Sequence, residues 1–421
     1  MNIITDCKVN IRKGEIMDSN KSNLNRRKFL TASISTVAAA GLTGISSKIV
    51  MAGDKQIKAE GKIISRQLGK TGMKIPIVSM GCASTSDPGI IQKAYELGVR
   101  HYDTAANYQF GRNEQLLGNV FNRNGKRDEV IIATKIFTPD QRQDLTVAEA
   151  KKKAVQLLDG SLKRLKTDYV DILYVHSLTT AEEVSNPVMV EAMKHLKDTG
   201  KVRAIGVATH SNMADILNET ARLGDYDVVL TSVNFTMAND DNLIAAIDNV
   251  ASKGIGVVAM KTQAGGSRWP NPESRKDYSS SVIATAALKW VLNNEKVTTS
   301  IPAFTSYDFL NEDFALASDI EYTSEEKKLL SDNDIRVSLG FCRQCHQCLA
   351  SCPVESDIPT LMRTHMYSAQ YGDFYLARTA LNDISEGKGI QACMDCESCV
   401  AVCSNSVDIP HKIDELKLIF S

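Results

Sequence analysis

The 421-residue chain has no charge bias, with 49 Lys and Arg against 50 Asp and Glu. A near-neutral chain offers no broad field for a phosphate backbone or an anionic membrane, so nucleic acid is not expected as a partner. The chain also lacks an apolar run of the roughly 20 residues that a membrane-spanning helix needs, which excludes a permanent span. Cysteine is almost missing from most of the sequence: of ten, only Cys7 and Cys82 precede residue 340, and the other eight crowd between Cys342 and Cys403. That asymmetry marks a separate C-terminal module. No Gly-x-Gly-x-x-Gly follows the first strand-like run, which argues against a Rossmann domain. What remains is ordinary: 43% hydrophobic and 24% charged residues suit a soluble globular protein with a sizeable core.

The N-terminal region reads as a targeting segment. Arg26 and Arg27 are followed by Phe29 and Leu30, then by a charge-free, weakly apolar run from Thr31 to Ser47, and Val50-Met51-Ala52 offers small residues for cleavage after Ala52. The whole resembles a bacterial twin-arginine (Tat) signal, which implies recognition by the Tat export machinery and a periplasmic or otherwise extracytoplasmic location. A disordered basic tail is the competing reading, and with the signal unused the protein would stay in the cytoplasm. Met17 is an alternative start. Removal of residues 1–52 leaves 41 basic against 47 acidic residues.

From about Ile63 to Asn333, short β-branched runs alternate with amphipathic stretches. Eight strands are expected, beginning near Ile77, Arg100, Val130, Val170, Val202, Asp227, Gly256 and Thr298. Repeated strand-helix wiring of this length predicts an α/β chain folded as a closed (β/α)8 (TIM) barrel over residues 61–335, with residues 336–421 as a small α-helical second domain. Chemistry in such barrels sits at the C-terminal ends of strands. There the sequence places Asp103 and Tyr108 after the second strand, Lys135 at the end of the third and His176 at the end of the fourth.

Asp103-Thr104-Ala105 with Tyr108 five residues after the Asp, Thr134-Lys135, and the strand closing in Val175-His176 resemble the aldo-keto reductase family over residues 63 to about 320. Gly69-Lys70-Thr71-Gly72-Met73 is similar to the hairpin that plugs the bottom of that family's barrel. The resemblance implies a catalytic tetrad of Tyr108, Asp103, Lys135 and His176 acting on a small carbonyl or alcohol with NADP or NAD. A phenol with a pKa of about 10 donates poorly at neutral pH. Lys135 is therefore expected to lower the Tyr108 pKa, Asp103 to hold Lys135, and His176 to bind the substrate oxygen. Individually these residues read equally well as a strand-end ion pair, a rim histidine and a loop aromatic.

The nucleotide positions match the family less well. Ala208-Thr209 replaces the usual Ser-Asn at the nicotinamide amide, and Asn234 stands where a Gln or Asn often completes that site. Met260-Lys261 replaces the stacking aromatic. Near Ile301-Pro302-Ala303 and Thr305, Asn311, Glu312 and Asp313 stand where an Arg for the 2′-phosphate is expected, which leaves NADP and NAD both open.

In the C-terminal module, Cys342-x2-Cys345-x2-Cys348-x3-Cys352-Pro353 is repeated as Cys393-x2-Cys396-x2-Cys399-x3-Cys403-Ser404. The doubled C-x2-C-x2-C-x3-C spacing resembles bacterial two-cluster ferredoxins, in which the fourth cysteine of each run serves the other cluster. The resemblance implies one 4Fe-4S cluster on Cys342, Cys345, Cys348 and Cys403, and a second on Cys393, Cys396, Cys399 and Cys352. Two four-cysteine zinc sites and disulfides are the competing readings. Helices are expected over 358–367 and 373–381, in the manner of α-helical two-cluster modules. Cys82 reads as a small core or rim residue.

Together these features imply an oxidoreductase, NAD(P)H-dependent by family resemblance, whose barrel exchanges electrons with two clusters and a redox partner protein. Hydride carries two electrons and a cluster one, and no flavin motif is present to mediate. Soluble nicotinamide is not expected outside the cytoplasm either. The alternative is a non-catalytic iron-sulfur subunit that uses the barrel as a docking scaffold. Replacement of Arg26 and Arg27 together by Lys should retain a cluster-loaded protein in the cytoplasm, as cell fractionation would show; a wild type that also stays in the cytoplasm would refute the signal.

Overall fold

The computed structural model describes residues 61–123, 125–137, 145–265 and 278–420. Arg26, Arg27 and Ala52, which carry the targeting reading, lie outside them, as does Cys7. Residues 57–421 form one compact unit.

Eight parallel strands make the sheet in sequence order. They are β3 (Met80–Gly81), β4 (His101–Asp103), β5 (Ile131–Ile136), β6 (Val170–Leu178), β7 (Val202–Thr209), β8 (Val228–Ser232), β9 (Gly256–Met260) and β10 (Thr299–Ser300). Parallel bridges Val78↔Ser300 and Gly81↔Ala303 join the two ends, so the sheet closes. Strands such as β8 are buried along their whole length, as expected where side chains pack inward on the barrel core and outward on helices. The intervening helices carry their own start signals. The helix Val147–Leu165 begins with a Thr146/Glu149 capping box, and the helix Pro88–Leu97 is capped by Asp87 and stopped by left-handed Gly98.

The bottom of the barrel is closed by the antiparallel hairpin of β1 (Ser65–Gln67) and β2 (Lys74–Pro76), as the sequence implied. Leu68 and Ile75 are fully buried in the inner core, and the Lys70 amide donates to the Gly254 carbonyl at 2.8 Å. At the same end a fully buried Asp171 accepts from Arg127 (2.8 Å), Arg203 (2.8 Å) and the Ile132 amide (2.9 Å), which ties β5, β6 and β7 together. Rigidity at the bottom leaves the top rim as the place where side chains are free to do chemistry.

The C-terminal module is mostly helical. Ile358–His365 runs on into a π-helical turn, Met366–Gln370, and is followed by helices Phe374–Asn382 and Ile409–Phe420. Ile358, Leu361, Ile409, Ile413 and Leu416 form its small core. The module sits on the C-terminal ends of the strands. Ser211 and His346 are hydrogen-bonded at 2.6 Å, the Asn212 amide donates to the Gln344 carbonyl at 3.3 Å, and Ser84 donates to Asp373 at 3.1 Å. Phe341 and Met366 belong to the barrel's own hydrophobic cluster. No described helix is long and apolar enough to cross a membrane.

Inside the barrel Gly206 makes room for the Tyr174 ring: a Cβ there would stand 2.4 Å from the Val228 carbonyl oxygen and 2.8 Å from the ring. Gly206→Ala should destabilise the fold by about 1–3 kcal/mol, the range for overpacking. A lowered urea midpoint at unchanged m-value would show it, and an unchanged midpoint would refute the packing argument.

Candidate active site

Asp103, Lys135 and His176 project from the ends of β4, β5 and β6, and Tyr108 opens the short turn Tyr108–Gly111 after β4. The Lys135 ammonium donates to Asp103 Oδ1, to the Thr104 carbonyl at 2.7 Å and to the Tyr108 hydroxyl at 3.3 Å. The Tyr108 and His176 rings meet edge to face with centroids 6.0 Å apart, and Phe137 covers His176 at 5.1 Å. The structure thus brings all four residues of the implied tetrad together.

Burial decides the proton states. It would lower the Lys135 pKa, but the Asp103 charge and the Tyr108 hydroxyl outweigh it, so Lys135 stays an ammonium. The Tyr108 phenol is pushed up to about 12, chiefly by burial, with Lys135 pulling the other way. This corrects the sequence expectation, since the lysine acts in the expected direction and desolvation overrides it. His176 falls well below the usual imidazole range, through burial first and then Lys135, Arg363 and Lys261, and is neutral. Its Nδ1 is buried without a partner.

After Tyr108 the backbone leaves the allowed course of most side chains. Gln109 and Phe110 both have left-handed φ, 51° and 58°. Gln109 anchors the turn by donating to the Ala83 and Thr85 carbonyls, each at 3.1 Å. The module holds the other side: Tyr375 donates to the Asn107 carbonyl, accepts from the Phe110 amide at 3.0 Å and packs against the Phe110 ring.

The tetrad forms the floor of a cavity of about 630 Å³ between barrel and module. Ala208, Met260, Lys261 and Thr305, expected at a nucleotide, line it; Thr209, Asn234 and Glu312 do not. Thr209 donates to the Leu178 and Ser211 carbonyls, at 2.8 and 2.7 Å. Asn234 caps the turn after β8 and donates to the Lys261 carbonyl at 3.2 Å, and Glu312 accepts from Ser281 at the surface. Leu230 is the β8 residue that lines the cavity, and Asn234 lies past the strand's end at Ser232, where its side chain is taken up in capping the following turn.

Sequence reasoning missed the roof. Arg363, Tyr367 and Tyr371 of the module line the cavity, and their i, i+4, i+8 spacing on one helical face was the available signal. Arg363 donates to the His210 ring and, at 3.0 Å, to Asp383. His210 therefore accepts, and burial, followed by Arg363, holds it neutral. Lys261 has a lowered pKa, chiefly from burial, and pairs with no carboxylate among the described residues.

Beneath the roof, Cys342, Cys345, Cys348 and Cys403 surround one small void. Cys393 has Cys352, Cys399 and Cys396 as its thiol neighbours. Asn405 offers its amide to Cys403 at 3.3 Å and its side chain to Cys345 at 3.8 Å, the kind of donor that supports a cluster thiolate. The eight thiols have the chemistry that a pair of 4Fe-4S clusters requires; Cys403 joins the first set around its void, and Cys352 neighbours both Cys348 and Cys393.

Residues 84–281 match the aldo/keto reductase family, and residues 341–408 match the 4Fe-4S dicluster domain. The chain carries an aldo/keto reductase domain followed by a 4Fe-4S dicluster domain. It is 26% identical to L-galactose dehydrogenase of Arabidopsis thaliana, over 64% of this chain and 93% of that protein. A stretch of 124 residues, 29% of the chain, is 40% identical to the aldo-keto reductase YhdN of Bacillus subtilis and spans 36% of it. An aldo-keto reductase of Bacillus halodurans shares the fold with a TM-score of 0.52 at 22% identity, over 64% of this chain and 95% of that one.

Ala208, Leu230 and Met260 give the cavity an apolar wall, while His210, Lys261, Thr262 and Gln263 beside them carry the side-chain donors and acceptors that the amide of a nicotinamide requires. The cysteines of the dicluster domain have the donor chemistry for 4Fe-4S clusters. Cys352→Ser should damage the centre held by Cys393, Cys396 and Cys399, so that its electron paramagnetic resonance signal changes together with that of Cys393→Ser. Joint perturbation of one signal by Cys352→Ser and Cys345→Ser would refute the crossed grouping.

Proposed function

We propose that the chain is an oxidoreductase that interconverts a carbonyl and a hydroxyl compound in this cavity, with Tyr108 carrying the proton at oxygen and the cysteine module exchanging the electrons. The observation that carries the reading is a buried Lys135 bridging the Asp103 carboxylate and the Tyr108 hydroxyl, on the floor of a cavity roofed by the dicluster domain. The names of relatives, a dehydrogenase and a reductase among them, support it.

In the reducing direction Tyr108 gives its proton to the substrate oxygen, and the phenolate left behind faces the Lys135 ammonium. Asp103 keeps that ammonium charged and in place inside a low-dielectric core. His176, neutral, offers a ring nitrogen to the same oxygen and adds no competing charge. Phe137 and the roof narrow the access of water to the floor. The clusters, when bound on the two cysteine sets, supply or accept electrons singly. A nicotinamide, when bound, would supply hydride, with His210, Thr262 and Gln263 among the cavity residues able to hold its amide. Export by the twin-arginine route, with clusters inserted first and a one-electron redox partner protein outside the cytoplasm, belongs to the same reading. Arg26 and Arg27 support it.

A non-catalytic electron-transfer subunit is the second reading, favoured by the departures from the family's nucleotide positions at Ala208-Thr209 and Met260-Lys261. The two differ at Tyr108. Tyr108→Phe should lower carbonyl turnover by roughly 10² to 10⁴, the usual share of general acid catalysis, with the cluster spectrum unchanged. Wild-type turnover in the variant, or no carbonyl turnover in either protein, would favour the docking scaffold.

A further inference from the structure

The proposed activity leaves an electron-counting problem. A simple aldehyde or ketone accepts electrons as a pair, because a single added electron has no conjugated system to occupy. Iron-sulfur centres release electrons one by one. A substrate that draws its electrons directly from such a centre must therefore accept them singly.

We propose that the cavity binds a quinone, a planar ring with conjugated carbonyls, and that this ring exchanges electrons with the iron-sulfur centre of Cys342, Cys345, Cys348 and Cys403. The proposal rests on the carbonyl reading above and names its substrate class. Three observations converge on it.

The first is the shape and lining. About 630 Å³ is the size of a site for a compact organic molecule, and Phe137, Tyr367, Tyr371, Leu230 and Met260 give it apolar and aromatic walls. Such walls suit the faces of a planar ring.

The second is the pair of polar ends. Tyr108 and His176 serve one carbonyl oxygen at the floor. Lys261, at the end of β9 in a left-handed conformation with φ 54°, lies under the Tyr367 ring at 5.5 Å and is the cation in the cavity without a carboxylate partner among the described residues. It can donate to a second carbonyl.

The third is the route. A small void beside the main cavity is lined by Lys261, Arg363 and Cys342 together, and the void enclosed by Cys342, Cys345, Cys348 and Cys403 shares Met362 with it. None of Cys352, Cys393, Cys396 and Cys399 lines either the main cavity or this neighbour. The centre on Cys342 is therefore the one that faces the cavity, and the other stands behind it.

The step balances as quinone plus two electrons plus two protons giving hydroquinone. Both C=O π bonds become C–O–H groups and the ring becomes aromatic. Tyr108 supplies one proton and Lys261 the other, each recovered from solvent. The two electrons arrive singly through the Cys342 centre from a one-electron donor protein, for which dithionite substitutes in the test. The reverse reaction runs the same bookkeeping backwards.

The test uses anaerobically purified, cluster-loaded full chain. Calorimetric titration with 2-methyl-1,4-naphthoquinone and, separately, with NADPH reads binding. Stopped-flow mixing of dithionite-reduced protein with the quinone reads return of the cluster absorbance. The expected result is saturable quinone binding and a reoxidation rate that saturates with quinone and falls roughly 10²-fold or more in Tyr108→Phe. In Cys396→Ser the first electron should still reach the quinone, whereas in Cys345→Ser it should not. Reoxidation that rises linearly with quinone and ignores Tyr108→Phe would mean collision with an exposed cluster and would overturn the proposal, as would flavin released on denaturing the protein. NADPH binding with Tyr108-dependent reduction of an aldehyde, and no quinone binding, would overturn the quinone while leaving the carbonyl reading intact.

Discussion

An ammonium buried within a closed barrel is tenable only beside a carboxylate, and Lys135 with Asp103 is that pair. Each residue sits on a neighbouring strand, β5 and β4, whose register sets Asp103 opposite Ala133. The pair thus depends on the closed sheet, and the site depends on the pair. Asp103 is the largest charge opposing the burial that would lower the Lys135 pKa, and it thereby keeps a cation facing Tyr108 after that residue gives up its proton. His101 shows the alternative: buried near the same lysine with no partner for either nitrogen, it is held neutral, with a pKa lowered to about 3 by burial and then by Lys135.

The second constraint is the docking of the cysteine module on the mouth of the barrel. In an isolated barrel the Tyr108 turn would have to hold two consecutive left-handed residues with contacts from one side. Tyr375 provides the other side, so the module that brings the clusters also fixes the proton donor. Arg363 does the same for the roof, joining His210 of the barrel to Asp383 of the module. Electron supply and proton supply are thereby built on one rigid interface.

Charge in the cavity follows the same economy. Lys135 is paired with Asp103 and Arg363 with Asp383, and the two histidines are neutral chiefly because they are buried and further because cations surround them. Lys261, hydrogen-bonded to Tyr367, is the cation of the cavity without a carboxylate partner among the described residues. A neutral, polarisable ligand is compatible with such a balance.

The sequence by itself determined the eight strand-helix units, the hairpin plug, the order of the tetrad and both cysteine runs, because each is a local pattern. β-branched runs, a Gly at a tight turn and fixed thiolate spacing all act through neighbours in the chain. It did not determine which residues face one another across more than 150 positions. Whether Leu230 or Asn234 points into the cavity depends on where β8 ends relative to its neighbours, and that register is set by the whole sheet. The pKa of Tyr108 depends on burial, which exists only once the module covers the mouth. The roof of Arg363, Tyr367 and Tyr371 shared one helical face in the sequence, but only tertiary packing decided that this face would close over the barrel instead of turning to solvent.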